Sequence, residues 1–139
     1  MASIDVSFRI GGEAGQGVES SGAGFAKAFT RGGLFVTAVP DYYSRIRGGH
    51  NFFTIRVCDE PVHAVLDAVQ VLIALDAETI KRHADKLSAG ALIIVDEGIA
   101  IDQAALAGRD ARLLSLPLLE IAKAQGNPIM INTGALAAA

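Results

Sequence analysis

One cysteine, Cys58, is all the thiol this sequence holds. It cannot close an internal disulfide, and an iron–sulfur cluster needs several thiolates, so neither belongs to this chain alone. Long apolar runs are missing as well. The most hydrophobic stretch, Ala64 to Leu75, is interrupted by Asp67 and Gln70, well short of the roughly 18 uncharged apolar residues of a membrane helix. A basic excess is also missing: 12 Lys and Arg stand against 15 Asp and Glu, for a net charge of −3. That balance excludes the electrostatic footprint of a nucleic-acid binder. No basic-then-apolar leader opens the sequence, so the cytoplasm is the expected compartment and no membrane partner is expected. The three histidines and Cys58 lie at no metal-ligand spacing, so no metal site is expected. Internal repeats, linkers and low-complexity blocks are absent.

What is present is apolar. Hydrophobic residues make up 51% of 139, and the mean hydropathy is +0.39. The length suits one domain with a real core, and is too short for two. With a membrane helix excluded, the excess implies a sheet buried on both faces, with some surface covered by a partner.

Ile4, Val6, Phe8 and Ile10 alternate with Asp5, Ser7 and Arg9, the pattern of a strand with one buried face. Gly11 to Gly17 form a glycine-rich turn, and Val18 to Arg31 follow as a helix. Phe25 and Phe29 share one face of that helix, and Gly22, Ala23, Gly24 and Ala26 let it lie close to a sheet. Gly32-Gly33 ends it in the manner of a left-handed cap. Leu34–Val39 reads as a strand stopped by Pro40, and Asn51–Val57 as another. The eleven residues between them show neither period and are few for a right-handed crossover, which predicts a hairpin or antiparallel edge. Gln70–Leu75 and Ala91–Val95 read as buried strands. Between them Ala77–Leu87 reads as a helix closed by Ser88-Ala89-Gly90. Leu113–Leu116 reads as a short strand, with Pro117 in the first turn of a helix that runs to about Gln125. Thr133–Ala139 reads as a helix just begun, and the chain is expected to continue beyond it. The expected fold is α/β: a Rossmann-like three-layer arrangement with a mostly parallel sheet and a hairpin or antiparallel edge, in one domain over 1–139.

Two segments are dense in candidate chemistry. The turn containing Gly12, Gly15, Gln16 and Gly17 sits after a strand and before a helix, where backbone N–H groups attract phosphate. Gly15-Gln16-Gly17-Val18-Glu19-Ser20 nearly matches a dinucleotide fingerprint, with Asp41 in range of a ribose. Against a phosphate stand Glu13, Glu19 and the lack of a Walker lysine. A tight packing turn, a contact to a cofactor fragment and a full dinucleotide site therefore all stay open. The second segment, Tyr42 to Asn51, places Arg47, Gly48, Gly49, His50 and Asn51 together. Ordering so many polar side chains is costly unless they contact a partner or a ligand; the alternative is a solvated loop with its tyrosines on the sheet edge. His63 reads as a surface residue and His83 as part of a charged, solvent-facing helix side. Cys58 has no activating neighbour in sequence. Asp76 and Asp96 end strands, where they cap the following helices or meet a ligand. No residue takes a catalytic role on these grounds.

In order and spacing, Gly11-Gly12-Glu13-Ala14-Gly15-Gln16-Gly17-Val18 and Arg47-Gly48-Gly49 resemble the gamma domain of the 2-oxoacid:ferredoxin oxidoreductase family. So do Asp59-Glu60-Pro61-Val62, the strands Val71–Asp76 and Gly90–Val95, and Ile131-Asn132-Thr133-Gly134-Ala135-Leu136. The resemblance covers nearly the whole chain. Ala14 departs from it where many relatives carry glycine, and family gamma domains usually run some tens of residues further. The resemblance implies a complex that oxidatively decarboxylates a 2-oxoacid to an acyl-CoA and reduces ferredoxin. Thiamine diphosphate, magnesium, [4Fe–4S] clusters and coenzyme A are implied for that complex, with none held on this chain. The implied partners are alpha and thiamine-binding beta subunits, with assembly and the bordering of a site as this domain's role. Alone, the domain is expected to be inactive. A stand-alone Rossmann-type nucleotide-binding module and a ligand-free interaction domain are the alternatives. A helix between Val39 and Asn51 favours the former, and a hairpin the gamma domain.

Overall fold

The computed structural model describes residues 3–43 and 49–139. Six strands among them form one sheet: β1 (Asp5–Glu13), β2 (Phe35–Tyr42), β3 (His50–Cys58), β4 (Val69–Ala74), β5 (Leu87–Asp96) and β6 (Ala111–Leu116), in the order β2-β3-β1-β4-β5-β6. β1, β4, β5 and β6 run parallel, and β3 is antiparallel to both β1 and β2. The helices are α1 (Val18–Arg31), α2 (Ala77–His83), α3 (Leu118–Ala124) and α4 (Ile131–Ala138). None of them is long and apolar enough to cross a membrane.

Alternation along the strands builds three layers. Phe8, Ile10, Ile73 and Ile94 point to the face covered by α1, α3 and α4, where Phe25 and Phe29 of α1 close on Phe8. Leu72, Ala74, Ile93 and Val95 point to the opposite face and pack with Ile80 of α2 and with Ile99, Ile101 and Leu106. The doubly covered α/β sheet with its antiparallel hairpin is the expected architecture.

Several local expectations need correction. β1 is not half-buried: it lies between β3 and β4, and Ser7 and Arg9 on its second face are 0% and 5% exposed. Pro40 does not stop β2, which continues to Tyr42 with Pro40 in register with Phe53. β2 is the sheet's edge, where a residue without an N–H is tolerated. α2 ends at His83, tightens into a short 3₁₀ turn over Ala84–Lys86, and β5 starts at Leu87. Ser88-Ala89-Gly90 therefore lies inside a strand. There the pairing shifts from Val69 with Leu87 to Val71 with Leu92, and Gly90 takes φ +72°, the signature of a bulge. Gly32-Gly33 does cap α1, with Gly33 as the left-handed residue at φ +88°. Its N–H donates to the Thr30 carbonyl, and the Leu34 N–H to that of Phe29, a Schellman arrangement.

Asp76 caps α2: its carboxylate accepts from the Thr79 N–H at 2.8 Å and the Thr79 hydroxyl at 2.7 Å. Asp96 caps at a distance. It accepts from the Gly98 N–H at 2.9 Å and, across 23 residues, from the Leu119 N–H of α3 at 2.7 Å. Pro117, at the N-cap position of α3, offers no side-chain oxygen, and Asp96 supplies one.

Candidate functional site

The parallel strands change direction of traverse between β1 and β4, with α1 on one face and α2 on the other, the place where open α/β sheets bind ligands. Here the chain occupies much of that crevice itself. The Gln16 side chain turns back: its Oε1 accepts from the Glu13 N–H at 2.6 Å, and its Nε2 lies 3.5 Å from the Leu75 carbonyl. A Cβ on Gly12 would collide with Gln16 Oε1 and stand 3.0 Å from the Leu75 Cβ. Gly15 and Gly17 take φ +99° and +75°, conformations that glycine adopts without strain. Asn132 of α4 donates from Nδ2 to the Gln16 carbonyl at 3.1 Å, and a Cβ on Gly17 would stand 2.7 Å from that same nitrogen. Each of these glycines thus has a packing or conformational reason, as the tight-turn reading requires.

Beside the turn opens a cleft of about 560 Å³, walled by the start of α1 and by the hairpin end of β2 and β3. Gly15, Gly17 and Glu19 line one side, and Tyr42, Asn51 and Phe52 the other. The two candidate segments therefore meet, and the Ala14 N–H joins them by donating to the Gly49 carbonyl at 2.7 Å. Glu13 and Glu19, both exposed, put negative charge on the rim. Arg47 and Gly48 lie outside the described residues, between Tyr43 and Gly49. His50 is buried, 6% exposed, at the start of β3.

Behind the hairpin end lies a polar cluster that reading the sequence missed. The buried Arg9 guanidinium donates from Nε to Thr54 Oγ1 at 3.1 Å and from Nη1 to His83 Nδ1 at 3.2 Å, and sits 5.0 Å from the centre of the Phe52 ring. His83 Nε2 is 2.9 Å from His50 Nε2. His83 is 3% exposed, so its assignment to the solvent side is corrected. The signal was available: Ile80, His83 and Ala84 make one helical stripe, and that stripe faces the sheet. Burial first, and the Arg9 charge beside it, push His83 down to about 3. Burial also lowers His50, against the pull of Asp76. Arg9 is lowered by burial and partly held up by Asp67, Asp41 and Asp85.

At the opposite end of the sheet, Arg56 grips Asp5 with two bonds of 2.9 and 2.8 Å and holds its carboxyl at about 2. The Cys58 thiol points at Asp5 Oδ1, 3.3 Å away, and burial raises it. That is the opposite of a reactive thiolate. His63 is exposed.

The family model described as pyruvate ferredoxin/flavodoxin oxidoreductase matches residues 7–139. A ketoisovalerate oxidoreductase subunit VorA of Methanothermobacter thermautotrophicus is 31% identical over 130 residues, 93% of this chain and 26% of the relative. A 2-oxoacid:ferredoxin oxidoreductase subunit alpha of Saccharolobus solfataricus is 35% identical over 78 residues, 56% of this chain and 12% of that one. The chain thus spans between 12% and 26% of the length of these curated relatives. Among solved structures, the 2-oxoglutarate:ferredoxin oxidoreductase of Magnetococcus marinus, with 2-oxoglutarate, coenzyme A and succinyl-CoA bound, superposes with a TM-score of 0.82 at 26% identity. That match covers 94% of this chain and 23% of the other. The gamma subunit of a keto/oxoacid ferredoxin oxidoreductase from Geobacter sulfurreducens has the same fold, with a TM-score of 0.78 at 24% identity over 97% of this chain and 74% of its own.

Proposed function

Because this chain belongs to the pyruvate ferredoxin/flavodoxin oxidoreductase family, we propose that it is the gamma-type domain of a thiamine-diphosphate-dependent 2-oxoacid:ferredoxin oxidoreductase complex. It acts there in assembly and as a border of the active site. The observation that carries this reading is the convergence of the glycine-rich turn and the Tyr42–Asn51 segment on one cleft, pinned by the Ala14 to Gly49 bond. A rigid scaffold presenting such a segment is how loops come to carry function. Phe35, Val39 and Tyr43, exposed along and just beyond β2, give the domain apolar surface of the kind that partners cover.

The donor set does not fit the complex's cofactors. A [4Fe–4S] cluster takes four thiolates, and Cys58 is the chain's one cysteine. No group of three His, Cys, Asp or Glu among the described residues could hold a metal. At the turn, Glu13, Glu19 and the inward-folded Gln16 oppose a pyrophosphate. In the proposed complex, thiamine diphosphate, magnesium and clusters would sit on partner alpha and beta subunits, and electrons would pass to ferredoxin from there. Arg47 is the residue proposed to meet a 2-oxoacid carboxylate or a coenzyme A phosphate, because a guanidinium fork can make two parallel bonds to such a group.

Arg47→Ala in the reconstituted complex tests the reading. Steady-state 2-oxoacid oxidation or holo-complex assembly, followed by size-exclusion chromatography, should fall while the melting temperature of the chain stays within a degree or two. Wild-type turnover together with wild-type assembly would show the segment to be a solvated connector.

A further inference from the structure

Both stems of the Tyr42–Asn51 segment rest on the last turn of α2. The Arg82 guanidinium lies 5.2 Å from the centre of the Tyr43 ring, and His83 Nε2 lies 2.9 Å from His50 Nε2. The Tyr43 and His50 rings are 5.9 Å apart, and Phe52 sits 6.0 Å from His50 and 4.6 Å from His83. α2 is itself fixed at its other end by the Asp76 cap.

The protons in this chain of contacts follow from chemistry. A guanidinium has only donors, so His83 Nδ1, facing Arg9 Nη1, must accept. A neutral His83 then carries its proton on Nε2, and that N–H donates to His50 Nε2. His50 in turn carries its proton on Nδ1. Arg9, on the central strand, thereby dictates the tautomer of His50, on the first residue of β3.

We propose that His83 is a positioning residue: by donating to His50 Nε2 it fixes the imidazole and backbone at the first residue of β3, and with them the Asn51 and Phe52 wall of the cleft. This rests on the reading that the segment borders the site of the complex. It assigns a role to the last turn of α2, which reaches the cleft through the contact of His83 with Phe52.

Two substitutions separate the halves of the relay. In His83→Gln the terminal amide reaches the place of Nε2 and can still donate to His50. In His83→Asn the amide reaches only the place of Nδ1 and can still accept from Arg9. In the assembled complex, His83→Gln should keep 2-oxoacid turnover within about twofold, whereas His83→Asn should lose about tenfold, because small misplacements far from the chemistry are costly. The two variants should melt within a few degrees of each other. Equal turnover in both, with Arg47→Ala impaired, would overturn the relay and leave the proposed function standing. Full activity in Arg47→Ala as well would overturn both. A second readout needs no variant. With ¹⁵N-histidine label in the intact protein, the three histidines are few enough to assign. His50 should be the Nδ1–H tautomer and His83 the Nε2–H tautomer at pH 7.5. His50 as the Nε2–H tautomer would overturn the proposal whatever the variants do.

Discussion

His83 stands where a charged helix face should be, in the run Lys81-Arg82-His83-Ala84-Asp85-Lys86, yet it is the residue that joins α2 to the buried Arg9. Its neighbours make the native state resist acid in one direction. Arg9, Arg82 and His50 all disfavour a proton on His83, and burial does so most of all. An unfolded chain takes up that proton near pH 6.5, while the fold refuses it down to about pH 3. The stability tied to this group is therefore complete above about pH 6.5 and drains away as the pH falls below it. Thermal melts should show a flat melting temperature from pH 8 to 7 and a steady decline from 6.5 to 4.5, a window above the range in which Asp5 titrates. His83→Gln should start lower and decline less steeply. An identical slope in the variant would assign the acid sensitivity to other groups.

At the level of elements, α1 separates two glycines that look alike in sequence. A Cβ on Gly22 would stand 2.6 Å from the Phe53 ring, so the helix reaches β3 only because nothing projects there. A Cβ on Gly24 would meet nothing within 4 Å. Gly22→Ala should cost about 1–3 kcal/mol through overpacking, and Gly24→Ala should gain close to 1 kcal/mol of helix propensity. Equal effects by chemical denaturation would mean that α1 does not ride on Phe53 as described. Small residues announced a close helix, but their sequence could not say which glycine makes the contact. The same division runs through the other elements. The hairpin between Leu34 and Val57 was legible from loop length and composition, and α1 from its period and its terminal glycines. The burial of Arg9 was not, because alternation reports one face of a strand and cannot tell that a second layer will cover the other. Nor was the entry to β5, where a short 3₁₀ turn and a bulge at Gly90 imitate a helix cap. In the site, the turn and the Tyr42–Asn51 segment were both visible as unusual composition. That they share a cleft, and that Asn132 holds the turn from 116 residues away, are facts of the sheet order and not of local sequence.

At the scale of the whole molecule, one face of the sheet is covered by three helices, while the hairpin half of the other is covered by the 59–68 segment and the end of α2. Thr37 Oγ1 donates to the Val62 carbonyl at 2.8 Å and Arg56 Nη1 to that of Ala64 at 3.2 Å, drawing that segment across β2 and β3. Phe35, Val39 and Leu66 remain exposed, which accounts for part of the high mean hydropathy that the core alone does not absorb. Exposed apolar side chains of this kind are what a partner would cover if the chain acts as the proposed subunit. The most direct measurement of that claim is 2-oxoacid- and coenzyme A-dependent reduction of ferredoxin by the thiamine-binding partners purified with this chain and without it. Full activity should need the chain, and adding the separately purified chain back should restore it with one-to-one stoichiometry. Undiminished turnover in its absence, with the chain eluting alone, would contradict the account.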